Sequence, residues 1–368
     1  MKRTGFAFHE HCMWHDAGPC SVFDQPGGFI QPAPAAENPE TKRRLRNLLA
    51  VSGLLEQLVP IQAEPADLDD LLRFHTRRYI DELSAMSERG FGDAGQYAPF
   101  RQDAFPIACR SAGLAISTLD AVLRGELDNG YCLSRPPGHH AEADRGMGFC
   151  LLGNIPIAIK AAQARGLVRK VAVIDWDVHH GNGTQQAFYD NDEVLTISLH
   201  HDNNYPIDSG HVEERGQGDG LGYNLNIPLP AGSGIGAYLA AMDQLVLPAL
   251  TRFKPELIVI ACGYDAGAMD PLGCMLLNAD CFGLLTEKVM AAADALCQGR
   301  LVMVHEGGYS EGYVPFCGHR VLETLSQSTI RVPDPAGADI ARWGQQSLQP
   351  HQAALLESLL PLLQDIRP

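Results

Sequence analysis

None of the ten cysteines belongs to a Cys-x-x-Cys pair: Cys12, Cys20, Cys109, Cys132, Cys150, Cys262, Cys274, Cys281, Cys297 and Cys317 stand singly. That argues against a cysteine-built zinc knuckle. Thiols scattered through apolar runs read instead as reduced, buried side chains of a reducing compartment. Positive charge is also scarce, with 28 Lys and Arg against 44 Asp and Glu and a net charge of −16. Such a surface argues against nucleic acid as a main partner and weakly favours cationic substrates. No apolar run approaches the roughly 20 residues of a membrane span. Thr4 to Trp14, behind the basic Met1-Lys2-Arg3, lacks the long apolar core of a signal peptide. Internal repeats, low-complexity tracts and clear linkers are missing too. We therefore expect a cytoplasmic protein that engages neither membrane nor nucleic acid. A hydrophobic content of 45% over 368 residues is ample for a core and suits a single domain.

What is present is an alternation of strands and helices. Thr4–Phe8, Gly130–Ser134, Val171–Asp175, Val194–Leu199, Leu257–Ala261 and Leu301–Val304 read as strands, with Leu58–Ile61 as a short one. Asn38 as N-cap and Pro39 at the first helical position open a helix running to about Leu58. A second helical stretch contains Phe74 to Ile80. Further helices are expected from Asp103 to Gly125, Asn154 to Gly166, Ser233 to Phe253, Asn278 to Gly299 and Leu355 to Leu363. Asp202 to Pro228 reads as a polar, Gly-rich loop region. The strands are continuous apolar runs rather than alternating ones. That is the pattern of a parallel sheet covered on both faces, in a doubly wound α/β fold.

The chain is organised around Val171-Ala-Val-Ile-Asp175-Trp-Asp177-Val-His179-His180-Gly-Asn182-Gly-Thr184. It opens as a buried strand and breaks into metal-capable side chains at every second position, Asp175, Asp177 and His179. An isolated Asp-x-His usually caps a helix or bonds to backbone. Here three other reactive segments also follow apolar runs: His139-His140, Asp265 and Gly307-Gly308-Tyr309. In a parallel sheet all these strand ends share one edge, so distant segments can converge. Asp177, His179 and Asp265 would hold Zn²⁺ with a position left open, and the two carboxylates also suit Fe²⁺, Mn²⁺ or Co²⁺. His139 and His140, stiffened by Pro136-Pro137-Gly138, would serve as general base and acid, with Asp175 and Asn182 as orienting partners. The Tyr309 phenol would donate to an oxyanion. A histidine-rich loop at His9, His11, Cys12 and His15 reads as a rim loop rather than a metal site.

Arg135-Pro-Pro-Gly-His-His140, Asp175-Trp-Asp-Val-His-His-Gly-Asn-Gly-Thr184, Tyr264-Asp-Ala266 with Asp270-Pro-Leu-Gly273, and Glu306-Gly-Gly-Tyr309 resemble the zinc-dependent histone deacetylase family. More narrowly, the chain resembles the bacterial histone deacetylase-like amidohydrolases, relatives of the class II enzymes. The resemblance covers about residues 4–325, with a helical extension at about 340–368. It implies an arginase/deacetylase fold, with eight mostly parallel strands flanked by helices on both faces. It implies one Zn²⁺ on Asp177, His179 and Asp265, His139 paired with Asp175, and His140, the general base, paired with Asn182. It implies a tunnel of Phe149, Tyr205 and Leu272 for the acyl-lysine stem, with the Gly148 carbonyl on the substrate amide. It further implies a structural K⁺ on the Asp175, Asp177, His179 and Leu199 carbonyls and the Ser198 hydroxyl. Two positions depart from the pattern: Gly267, where many members carry His, and Tyr205, where the tunnel often has Phe.

The implied activity is removal of acetyl groups from acyl-lysine, sensitive to hydroxamates. An acetylpolyamine substrate is the alternative on the same site. A binuclear manganese hydrolase would need additional carboxylates where Gly181 and Gly267 stand. A non-catalytic acyl-lysine binder is disfavoured because every catalytic position is filled. The extended N-terminal loop could pack against a second subunit of a homo-oligomer.

Overall fold

Val171 and Val173 enter one hydrophobic core while Ala172 and Ile174 enter another. Leu257, Val259 and Ala261 divide from Ile258, Ile260 and Cys262 in the same way. Both faces of each strand are thus buried, which is why the apolar runs are unbroken. The computed structural model describes residues 2–19 and 26–368, so Cys20 lies outside the described residues.

The main sheet has eight strands: β1 (Thr4–Ala7), β2 (Val59–Ile61), β3 (Asn129–Cys132), β4 (Val171–Asp175), β5 (Val194–His201), β6 (Asn224–Leu229), β7 (Leu257–Cys262) and β8 (Leu301–His305). Their spatial order is β6-β5-β4-β7-β8-β3-β1-β2, and every pairing is parallel. The parallel α/β expectation is met. The order has one consequence for the site. β4, β7, β8 and β3, the strands that precede the four reactive segments, lie side by side.

Several boundaries differ from the sequence reading. The stretch 202–228 is not all loop, because β6 begins at Asn224. Leu225, Ile227 and Leu229 alternate into the core, while Asn224 and Asn226 donate to Gln185 Oε1 at 2.7 and 2.9 Å. The polar half of this alternation, with Pro228, hides the strand, and Pro is tolerated because β6 is an edge. Pro39 takes the N-cap position itself, with Asn38 Oδ1 accepting from the Glu40 N–H at 2.9 Å. That helix, Glu40–Ser52, stops at Gly53, whose φ of +83° is left-handed, well short of Leu58. Phe74 and His75 lie in the turn before a helix at Arg77–Glu88, capped by Thr76. Asp103 sits before the helix Ala104–Leu123 but makes no capping hydrogen bond. The expected 233–253 helix starts at Ile235 and contains a π-helical segment, Met242–Val246. The last helix starts earlier than expected, at Pro350.

Helix Ala104–Leu123 has the length and apolarity to cross a membrane, which the sequence reading did not anticipate; most of its apolar window is packed inside the fold. The nine described cysteines are all free, and only Cys274 is exposed.

Candidate active site

At the C-terminal end of β4 the chain turns through Trp176, whose indole is fully buried and anchors the turn. Backbone amides fold back on side chains. Asp177 N–H donates to Asp175 Oδ1 and His179 N–H to Asp177 Oδ1, each at 3.0 Å. The turn therefore points Asp177 and His179 across to the end of β7, which delivers Asp265. His179 Nδ1 lies 3.1 Å from both Asp177 Oδ1 and Asp265 Oδ2. Ligand-capable atoms of the three side chains all lie within 4.8 Å of one another, and the residues are 0, 5 and 0% exposed.

The electrostatics of this cluster call for a cation. Burial raises the Asp265 carboxyl, and the neighbouring Asp177 charge adds to the rise, which reaches about 7. Burial alone would raise Asp177 as well, but the His139 and His179 imidazoles outweigh it and hold it low. Burial would lower His179; the two carboxylates reverse that and push it up to about 10. Two carboxylates and one imidazole, shut away from water, are a donor set that fits a divalent metal ion. A second group of potential ligands, His139, Cys150 and Glu306, lies nearby. Of these residues, His139 Nδ1 and Glu306 Oε2 are already engaged, as described next.

The segment after β3 carries both histidines, whose rings meet at a tilt of 40° with centroids 3.9 Å apart. His139 Nδ1 is 3.0 Å from Asp175 Oδ2, and His140 Nδ1 is 2.8 Å from Asn182 Oδ1. Burial lowers both imidazoles. For His139 the Asp177 and Asp175 charges win and raise it well above the ordinary value. For His140 the His139 and His179 imidazoles add to burial and drive it well below. The two rings are thus pushed in opposite directions.

Glu306 opens the Glu306-Gly-Gly-Tyr309 motif, and the sequence assigns it no role of its own. It is fully buried, and its Oε2 accepts from the Gly138 and His139 N–H groups at 2.6 and 3.1 Å. Burial pushes its carboxyl up to about 7. Asp270 is the second such residue. Its Oδ1 accepts from Leu272 and Gly273, and its Oδ2 from the Tyr309 N–H at 2.7 Å. One carboxylate therefore ties the Leu272 loop to the tyrosine. Neither role could be read locally, since Gly138 and His139 lie far from Glu306 in sequence, and Tyr309 far from Asp270.

Tyr309 is 8% exposed and its ring lies 6.4 Å from His179 and 5.8 Å from Phe149. Burial and the Asp265 and Asp177 charges hold its phenol well above the ordinary value, so it is a hydrogen-bond donor. Phe149 and Gly148 are held by N–H bonds to the Tyr97 and Gln96 carbonyls at 2.8 and 3.0 Å. Gly148 has a φ of +47° and its carbonyl faces the Cys150 thiol at 3.4 Å. The Tyr205 ring meets His140 edge-on at 4.9 Å, and its hydroxyl points to the Gln96 carbonyl at 3.5 Å. Leu272 is half-buried.

Other histidines stay out of this cluster. His180 turns away to Ser209 Oγ and Gln185 Oε1 at 2.7 and 3.0 Å and packs at a tilt against His200. His9, His11 and Cys12 lie in or beside a 3-10 turn, and with His15 they join no metal-capable group among the described residues. Ser198 Oγ is 2.8 Å from His200 Nδ1. Gly181 approaches Asp175 so closely that a Cβ there would sit 2.3 Å from Oδ2. A further carboxylate at that position, as a binuclear site would need, has no room.

Residues 35–325 match the histone deacetylase domain. The chain is 53% identical over 337 residues to a histone deacetylase-like amidohydrolase of Pseudomonas aeruginosa, covering 91% of this chain and 89% of the relative. It is 36% identical to a probable deacetylase of Archaeoglobus fulgidus, covering 90% and 89%. A crystal structure of the HDA15 HD domain superposes with a TM-score of 0.82 at 30% identity, over 98% of both chains.

Proposed function

The chain belongs to the histone deacetylase family, and from that premise we propose a zinc enzyme that removes acyl groups from the side-chain amine of acyl-lysine. It is a metal-dependent deacetylase, a hydrolase of linear amides, with the arginase/deacetylase fold. The observation that carries the finer reading is the convergence of Asp177, His179 and Asp265 beside a hydrogen-bonded histidine pair.

A divalent ion on those three side chains supplies a Lewis acid for the amide carbonyl and for water. The protein's own groups do the rest. Phe149, Tyr205 and Leu272 hold the alkyl stem, and the Gly148 carbonyl accepts from the substrate amide N–H. His140 takes a proton from the attacking water on Nε2, because Nδ1 is engaged with Asn182. The Tyr309 hydroxyl donates to the oxyanion that forms. The imidazolium returns the proton to the departing nitrogen. One amide and one water become acetate and a free amine.

A structural K⁺ on the Asp175, Asp177, His179 and Leu199 carbonyls and the Ser198 hydroxyl is part of the same reading. Its support is the pairing of Asp175 with Ser198 across β4 and β5. The net charge of −16 is the one feature that favours an acetylpolyamine.

The test has two arms. Purified protein is assayed for metal content and for turnover before and after chelation and zinc restoration. One bound zinc per chain and restored activity are expected; full activity without metal sinks the reading. Acetyl-lysine peptides are then compared with acetylspermidine and acetylputrescine. Higher kcat/KM on the polyamines would transfer the assignment to them.

A further inference from the structure

His140 works as a base only in one tautomer. Nδ1 must carry the hydrogen and Nε2 must present the lone pair. What enforces this is an amide, Asn182, and an amide has two ends of opposite polarity. With Oδ1 toward His140 it accepts from Nδ1–H. Turned over, it would present N–H to Nδ1 and drive the hydrogen onto Nε2, leaving no lone pair toward the reaction. A carboxylate at position 182 would accept from either oxygen and need no such help.

The surroundings of Asn182 Nδ2 decide which way the amide lies. Its neighbours are Glu142 Oε1 at 2.9 Å, the His140 carbonyl at 3.3 Å and Met147 Sδ at 3.4 Å. All three accept, and only Glu142 is a carboxylate, whose hydrogen bonds are about twice as strong as neutral ones. Its second oxygen takes a bond from Arg145 Nε at 2.9 Å, and its backbone N–H donates to the Arg145 carbonyl at 3.0 Å. The Glu142 side chain is 15% exposed and that of Arg145 is 49% exposed, whereas His140 is 3% exposed. A chain of hydrogen bonds thus runs Arg145–Glu142–Asn182–His140 from the surface into the site.

We propose that Glu142 is a positioning residue for the deacetylation: it locks the Asn182 amide in the orientation that keeps His140 protonated on Nδ1 and free on Nε2. This rests on the reading of His140 as the general base. Glu142 touches neither substrate nor metal; it acts through Asn182.

The test is steady-state kinetics of the zinc-loaded full chain on a fluorogenic acetyl-lysine peptide. Glu142→Ala should lower kcat about tenfold or more, within the range that proton-transfer groups supply, and leave KM within about threefold. Asn182→Asp alone should also lower kcat, because it sets two carboxylates at the contact now made by Nδ2 and Oε1. Combining Asn182→Asp with Glu142→Gln restores a donor facing an acceptor, with the roles exchanged. That double variant should recover kcat to within about threefold of the parent. A role confined to tying down the loop predicts instead that Glu142→Ala raises KM together with the fall in kcat.

Unchanged kcat in Glu142→Ala overturns the proposal, as does a double variant no faster than Asn182→Asp alone. If Glu142→Ala fails to fold, the second comparison decides by itself. A parent enzyme inactive on every acyl-lysine probe overturns the functional reading and this inference with it. An active parent with an indifferent Glu142→Ala overturns the inference alone.

Discussion

The Gly307 N–H donates to Asp177 Oδ2 at 2.8 Å, joining residues 130 positions apart in sequence. The turn that carries Tyr309 is thereby fastened to one of the carboxylates proposed to hold the metal. A Cβ at Gly307 would stand 2.2 Å from Asp265 Oδ2 and 2.6 Å from Asp177 Oδ2. Gly307→Ala should therefore push both carboxylates aside and weaken zinc binding by about tenfold to a hundredfold, the usual effect of disturbing a ligand's supports. Competition with a chromogenic chelator measures it. Parent-like affinity in a folded variant would remove this constraint from the account.

Tyr309→Phe keeps the ring against Phe149 and His179 and removes only the donor. We expect kcat to fall about a hundredfold to a thousandfold, as when one oxyanion donor is deleted, with a hydroxamate still bound. Calorimetric titration alongside kinetics checks both. Undiminished turnover refutes the assigned role.

Glu306 satisfies two buried backbone donors at the histidine turn, Gly138 and His139. Deleting their acceptor leaves each uncompensated, at about 1–3 kcal/mol apiece. Glu306→Ala should lower both the unfolding midpoint and kcat, whereas Glu306→Gln, which retains one acceptor oxygen, should do so less. Equal effects from the two variants would contradict this.

His75 gives a sign-definite pH dependence. It is 2% exposed, its Nε2 accepts from the Gly153 N–H at 3.0 Å, and its Nδ1 faces the Ala143 carbonyl at 3.3 Å. Burial pushes the imidazole from 6.5 down to about 4, against the opposing pull of that carbonyl. The unfolded ring takes up its proton near 6.5 and the folded one only near 4. Stability from this group is whole above pH 6.5 and is lost as pH falls towards 4, by about 3 kcal/mol in all. Urea unfolding of metal-stripped protein from pH 7 to pH 4 should show a shallower acid loss for His75→Asn than for the parent. Matching slopes would count against it.

Much of the site was legible before any coordinates because chemistry sits where apolar strands end. Val171–Ile174 and Leu257–Ala261 are unbroken hydrophobic runs, so the first polar residues after them, Asp175 to His179 and Asp265, announce themselves. β6 was missed for the opposite reason. Its Asn, Asn and Pro at alternate positions look like a loop until Gln185 is seen satisfying the two amides. His180 shares the motif of His179 yet serves another network, which spacing by one residue cannot reveal.

The sequence by itself determined which side chains could do the chemistry, and that they stand at the ends of buried parallel strands. Hydrophobic burial is written locally, residue by residue, and survives without coordinates. Only the tertiary structure decided that β4, β7, β8 and β3 are neighbours, and which carboxylate answers which donor. Glu306, Asp270 and Glu142 take their meaning from hydrogen bonds to other segments. A hydrogen bond reaches about 3 Å and needs a direction, and neither is encoded in the order of residues along a chain.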